Sequence, residues 1–217
     1  MKSTILTMAI VISVVFSATA MAEGPDKANR ISVRTQFNSL VGEGAGEGYD
    51  GGVLTIGNGV EYLRYATIPS VGQIAFGVSL EQSWLQFHHE ENSIRVKETW
   101  LGVPIRYTVG NSRGRNPGSI LSMQADIGAY VGALLHQDAY FAPVQNAPSA
   151  TVNSHKAFGY YKAGLLVELI FGFQVHENSD ALIGFSFGHD LSAFGEDNSE
   201  WLQNRGRYFG ISVGAAF

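Results

Sequence analysis

Tyr160-Tyr161-Lys162-Ala163-Gly164-Leu165-Leu166-Val167-Glu168-Leu169-Ile170-Phe171-Gly172-Phe173-Gln174-Val175 is the stretch that decides the fold class of this chain. Read at every second residue, one side is Tyr161, Ala163, Leu165, Val167, Leu169, Phe171, Phe173 and Val175. The other side carries Tyr160, Lys162, Gly164, Glu168, Gly172 and Gln174. Successive side chains of a strand point to opposite faces, so a period of two means β-structure. The apolar face also outruns the roughly 5–6 residues of an ordinary soluble strand.

The same alternation recurs on both sides of this stretch. Leu121 to Leu135 is apolar at every odd position, opposite Ser122, Gln124, Asp126, Gly128 and Tyr130. Thr99, Leu101, Val103, Ile105, Tyr107 and Val109 oppose Glu98, Gly102 and Arg106. Ile74, Phe76, Val78 and Leu80 oppose Ser79 and Glu81, and Ile183, Phe185 and Phe187 oppose Gly184, Ser186 and Gly188. Ile31 to Phe37 continues the pattern at the front, and it is looser between Val53 and Ala66. That makes about eight strands, the smallest number used by membrane barrels.

Alternation alone would also suit a soluble periplasmic ligand-binding barrel with its apolar face turned inward. The opposite face decides. It holds glycine, serine and sparse charges of both signs: Glu81, Glu98, Arg106, Asp126, Lys162 and Glu168. A water-facing sheet would be crowded with long charged side chains, especially at its edges. Small residues with isolated opposite charges describe a narrow lumen in which charges pair. The expected fold is therefore all-β: one antiparallel up-and-down transmembrane barrel spanning residues 23–217, apolar side out.

Composition agrees. Only 15% of the 217 residues are charged, 26 are glycine and none is cysteine. Disulfides, thiolate zinc sites and cysteine nucleophiles are thereby excluded. A mean hydropathy of +0.04 is far too polar for a bundle of membrane helices. The formal charge of −5 leaves no basic footprint for nucleic acid.

The first segment reads as an export signal. Lys2 is followed by an apolar run from Ile5 to Phe16 and by Ala20-Met21-Ala22, an A-x-A cleavage site before Glu23. Residues 1–22 are expected to be removed, and the mature protein to reside in the bacterial outer membrane. Odd-numbered connections should face outward: Ser39 to Gly51, His88 to Ser93, Gln137 to Lys156 and Asp190 to Arg205. The inner ones are Thr67 to Gly72, Gly110 to Gly118 and the tight His176 to Asp180, in keeping with short periplasmic turns. The closing strand, with Tyr208 inward, Phe209, Ile211 and Val213 outward and Phe217 at its end, resembles the signal by which barrels engage the assembly machinery.

Three patches resemble the small outer-membrane β-barrel domain family, which includes PorT-like proteins and the OmpA- and OmpX-like eight-stranded barrels. They are Glu98-Thr99-Trp100-Leu101-Gly102-Val103-Pro104-Ile105-Arg106-Tyr107, the stretch Asn204 to Phe217, and Tyr160-Tyr161-Lys162-Ala163-Gly164. Trp100-Leu101-Gly102-Val103 departs from the family's usual residues before the proline. The resemblance implies an eight-stranded barrel, usually without a known activity.

Candidate chemistry is thin. His88-His89-Glu90-Glu91 is compact, but it is not an H-E-x-x-H motif, and a solvated loop is the better reading. Gly42 to Gly48 lacks the lysine of a phosphate loop and carries Glu43 and Glu47, which repel phosphate. Asp190, Glu196, Asp197 and Glu200 match no calcium-loop spacing. A lipid hydrolase of the deacylase type would need a nucleophile, a base and an orienting acid; His189 with Ser192, or His155 with Ser154, are the pairs at hand, oriented by Asp190 or Glu196. No spacing fixes such a triad. The expectation is a monomeric, non-enzymatic barrel without cofactor or metal, in contact with outer-membrane lipids and lipopolysaccharide, binding no nucleic acid and acting through its outer loops.

Overall fold

The computed structural model describes residues 29–41, 49–53, 55–68, 72–89, 92–109, 120–143, 150–152, 161–194 and 205–217. Ten strands follow in order: β1 Asn29–Val41, β2 Tyr49–Val53, β3 Thr55–Ile68, β4 Gly72–His89, β5 Asn92–Val109, β6 Leu121–Pro143, β7 Ala150–Val152, β8 Tyr161–His176, β9 Ser179–Phe194 and β10 Arg205–Ala216. The short β2 pairs with β4 and the short β7 with β6, beyond the ends of β3 and β8. The other eight form a closed ring, β4-β3-β1-β10-β9-β8-β6-β5, completed by the β4–β5 pairing. Every pairing is antiparallel. Closure leaves the eight main strands with a partner on each side, which only a barrel achieves for a sheet in lipid.

The register fixes the shape. Stepping around the ring from Asn29 through partner residues passes Arg64, Phe76, Ile105, Ala129, Leu165, His189 and Arg207, and returns to β1 at Ser39. The path climbs ten residues per turn. With a rise of ~3.3 Å per residue and ~4.7 Å between strands, that shear tilts eight strands by roughly 40° and gives a backbone radius of about 8 Å. Such a tube is filled by side chains from its own wall. Asn29 and Phe217 exchange both backbone hydrogen bonds, at 3.0 Å each, and close the seam.

Alternation then sorts every strand. Val103, Ile105, Tyr107, Met123, Ile127, Val131, Leu165, Val167, Phe185, Phe187, Ile211 and Val213 all stand exposed on the outside. Between them, Arg34, Glu81, Glu98, Arg106, Asp126, Glu168, Ser186 and Ser212 are buried within. Apolar side chains in the open and charges in the interior invert a soluble protein and suit a hydrocarbon surrounding. The inward-apolar ligand-binding barrel is thereby ruled out. Among the described residues no helix is long and apolar enough to cross a membrane; the strands do so.

Several boundaries differ from the sequence reading. Gln137, assigned to the start of a loop, lies inside β6, which runs on to Pro143. The cause is a register shift opposite Thr99 and Trp100, where His136 pairs with Thr99 and Leu134 with Trp100. The extra residue, Leu135, flips the phase, so that even residues face in below it and Gln137 faces in above it. The strand therefore continues where period-two counting ends. Likewise β1 runs to Val41, β2 begins inside the first expected loop, β7 lies within the expected 137–156 connection and β9 runs on to Phe194. The expected signal peptide, the glycine-rich 42–48 and the acidic 196–200 lie outside the described residues.

Candidate functional site

Burial places the polar chemistry of this molecule in the lumen, in two groups. The first occupies the half near Asn29 and Phe217. Arg30 of β1 and Arg106 of β5 reach towards Glu61 of β3, Asp126 of β6 and Glu168 of β8. Arg30 donates to Glu168 at 2.6 Å, to Glu61 at 3.4 Å and to Asp126 at 3.5 Å. Arg106 donates one amino group to Glu168 and the other to Glu61, so Glu61 accepts from both guanidiniums on separate oxygens. Arg106 also lies 4.0 Å from Asp126. The planar fork of arginine suits this bridging role, since it stays ionised and bonds two acids at once. Asp126 depends more on neutral donors: Thr108 at 2.8 Å, Gln124 at 3.1 Å and Tyr65 at 3.2 Å. Ser212 of β10 completes Glu168 at 2.8 Å. Six staves of the barrel thus meet in one network.

The second group sits further from the seam, beside a cluster of Tyr130, Leu166 and Tyr208. Glu81 of β4 bonds Arg34 on one oxygen and Lys162, at 3.3 Å, on the other. The Arg34 guanidinium stacks 5.0 Å from the Tyr208 ring centre, and the Lys162 ammonium lies 5.0 Å from Trp100 and 5.5 Å from Tyr130. Glu98 accepts from Trp100 Nε1 at 2.8 Å and Gln137 Nε2 at 3.0 Å, and Asp190 accepts from the Tyr130 hydroxyl. Here aromatic faces and neutral donors share the work that guanidiniums do below.

Glycines make the fit possible. A Cβ at Gly128 would meet Arg106 Cα and Cγ at 2.9 Å, so only glycine lets the Arg106 stem lie across β6. A Cβ at Gly184 would fall on the Glu168 carboxylate and the Ser212 hydroxyl.

All six charges singled out in the sequence lie in the lumen, and the structure sorts them. Arg106, Asp126 and Glu168 share the lower network; Glu81 and Lys162 pair in the upper one; Glu98 is bonded by Trp100 and Gln137 rather than by Arg106. Sequence reasoning missed Arg30, Arg34, Glu61 and Tyr65. The signal for Glu61 was blurred because Leu63 and Tyr65 also point inward, which spoils the apolar contrast of β3. Arg30 stood one residue before the first counted strand position, and its parity with Ser32 and Arg34 would have found it.

Of the assembly-signal residues, Phe209, Ile211 and Val213 face outward, Tyr208 faces in against Arg34, and Phe217 closes the seam. The hydrolase candidates are not brought together among the described residues. His189 and Asp190 are consecutive on β9 and alternate across the wall, while Asp190 is engaged with Tyr130. Ser154, His155 and Glu196 lie outside the described residues, as does the Ser192 side chain. His88 and His89 end β4, with side chains likewise undescribed. Among the described residues no three acidic or histidine side chains group as metal ligands.

A closed ring of eight tilted strands, apolar outside and filled with ion pairs inside, defines the class: an up-and-down transmembrane β-barrel. Solved structures of small outer-membrane proteins have a similar course. Neisserial surface protein A matches with a TM-score of 0.47 at 12% identity, covering 90% of this chain and 100% of that one. Ail, the attachment invasion locus protein of Yersinia pestis, matches at 0.36 and 14%, covering 88% and 99%. The outer membrane protein OprG of Pseudomonas aeruginosa matches at 0.38 and 11%, covering 88% and 95%. No protein-family model matches the sequence, and no curated protein does.

Proposed function

We propose that this chain is an integral protein of the bacterial outer membrane, exported with cleavage near Ala22, whose role is structural and surface-interacting rather than that of a wide pore or an enzyme. The observation that carries the reading is the lumen: Arg106, Asp126 and Glu168 are at most 1% exposed and tied to residues from opposite walls. A tube of about 8 Å backbone radius crossed by such ties leaves no open channel. What remains to meet other molecules is the apolar belt, which meets lipid, and the far end of β4, β5 and β6. Those strands have 18, 18 and 23 residues, against 12 and 13 in β10 and β1, so they continue past the belt as an outward sheet.

The test combines fractionation with conductance. The protein should resist carbonate extraction from outer membranes, begin near Glu23 and migrate differently before and after heating. In planar bilayers it should show no stable large conductance. Recovery as soluble periplasmic material would refute the membrane assignment, and a large steady conductance would refute the sealed lumen.

A further inference from the structure

The charges of this acidic chain are segregated across the barrel wall. Among the described residues, the outer faces of the strands carry Arg64, Arg95, Lys97 and Arg207 against a single acid, Asp138. In the lumen the carboxylates outnumber the cations Arg30, Arg34, Arg106 and Lys162. A chain of net charge −5 thus turns a basic surface towards its surroundings where it crosses the membrane.

Two of the outward cations are neighbours. Along β5 the outer face is apolar from Val109 to Leu101, all exposed, then turns polar at Thr99 and basic at Lys97 and Arg95. Lys97 is paired across to Trp84 of β4, whose ring lies 5.3 Å from the ammonium, and to Asp138 of β6. Asp138 is in turn held by His136 at 3.0 Å. An exposed tryptophan at the edge of an apolar belt, with one cation directly across from it and a second one step beyond, is the arrangement that meets a lipid headgroup: ring at the acyl boundary, charge at the phosphate.

We propose that Trp84, Lys97 and Arg95 form a docking surface for the phosphate-bearing headgroup of an anionic lipid, at the membrane face remote from Asn29 and Phe217. The proposal rests on the transmembrane reading and adds a site and a ligand class to it. The basic pair supplies charge complementarity, and Trp84 fixes the depth. Arg207, on the opposite wall, has no such aromatic partner among the described contacts.

The full mature chain, refolded into phosphatidylcholine vesicles, tests it through Trp84 itself. The vesicles are doped at one matched mole fraction with acyl-brominated phosphatidylglycerol or with acyl-brominated phosphatidylcholine. A Trp84→Phe control subtracts the other tryptophans. Bromine quenches by contact, so the ratio reports which lipid resides at the patch. The anionic probe should be favoured by about five-fold or more, the scale of one cation at an anionic surface. Arg95→Gln/Lys97→Gln should bring the ratio to one, whereas Arg207→Gln should leave it unchanged. Equal quenching in the wild type, or a preference that survives the double substitution, would overturn the docking surface while leaving the membrane reading intact. No quenching by either probe would overturn both.

Discussion

The two lumen networks each join two cations and three carboxylates, and wire them differently. Near the seam, Arg30 and Arg106 share Glu61 and Glu168, and each approaches Asp126. In the other half, Arg34 and Lys162 share only Glu81, while Glu98 and Asp190 are served by Trp100, Gln137 and Tyr130. The lower group is one object; the upper is a set of pairs and stacks. A charge buried at low dielectric is costly without a partner, so what matters on losing one residue is how many groups it leaves stranded.

The comparison can be broken or sharpened by urea unfolding of the refolded barrel in lipid vesicles. The largest effect is expected for Arg106→Met, which leaves Glu61, Asp126 and Glu168 to Arg30 as their one remaining cation among the described contacts and should cost about 3–5 kcal/mol. A midpoint equal to wild type would remove the lower network as a source of stability. Next, Arg106→Met combined with Glu168→Gln should depart from additivity by about 1–3 kcal/mol, because the two side chains are bonded and share Arg30 and Glu61. Lys162→Met should cost less, about 1–2 kcal/mol, since Glu81 keeps Arg34 and only a partly exposed pair and its ring contacts are lost. In the upper half, Glu98→Gln and Lys162→Met should depart from additivity by less, about 0.5 kcal/mol, as they share no direct bond and meet only through Trp100. Arg207→Ala, outside the wall, should stay within about 0.5 kcal/mol of wild type. Strong coupling in the upper pair, or none in the lower, would erase the distinction between the two halves.

Much of this was legible in the chain because a barrel wall obeys one rule, alternation. From Leu121 to Leu135 and from Tyr161 to Phe173, counting by two gives the outward face and hence, by complement, the inward one. The rule fails where the period is interrupted. Leu135 adds a residue, and Gln137 then joins the lumen although counting sends it elsewhere. It also fails where an inward position is itself apolar, as at Leu63 and Tyr65, which hid the parity of Glu61. Which charges pair was not legible at all. That depends on the ten-residue climb of the register, a property of the whole ring and not of any strand. Glu98 and Arg106 share a strand and a face, yet the three inward positions between them, Trp100, Gly102 and Pro104, keep them in different halves.

The seam between Asn29 and Phe217 has a bearing on timing. It joins the first and last strands of the ring, so β1 keeps one bare edge until β10 arrives, and Arg30 waits for Glu168 and Ser212 to come within reach of one another. Unpaired backbone groups cost several kcal/mol each in hydrocarbon, and contacts this distant in sequence form late. A half-wound intermediate cannot be parked in lipid. The chain therefore has to remain sheltered, in water or against another protein, until the ring snaps shut along the whole β1–β10 ladder, of which the Asn29–Phe217 exchange is the end rung.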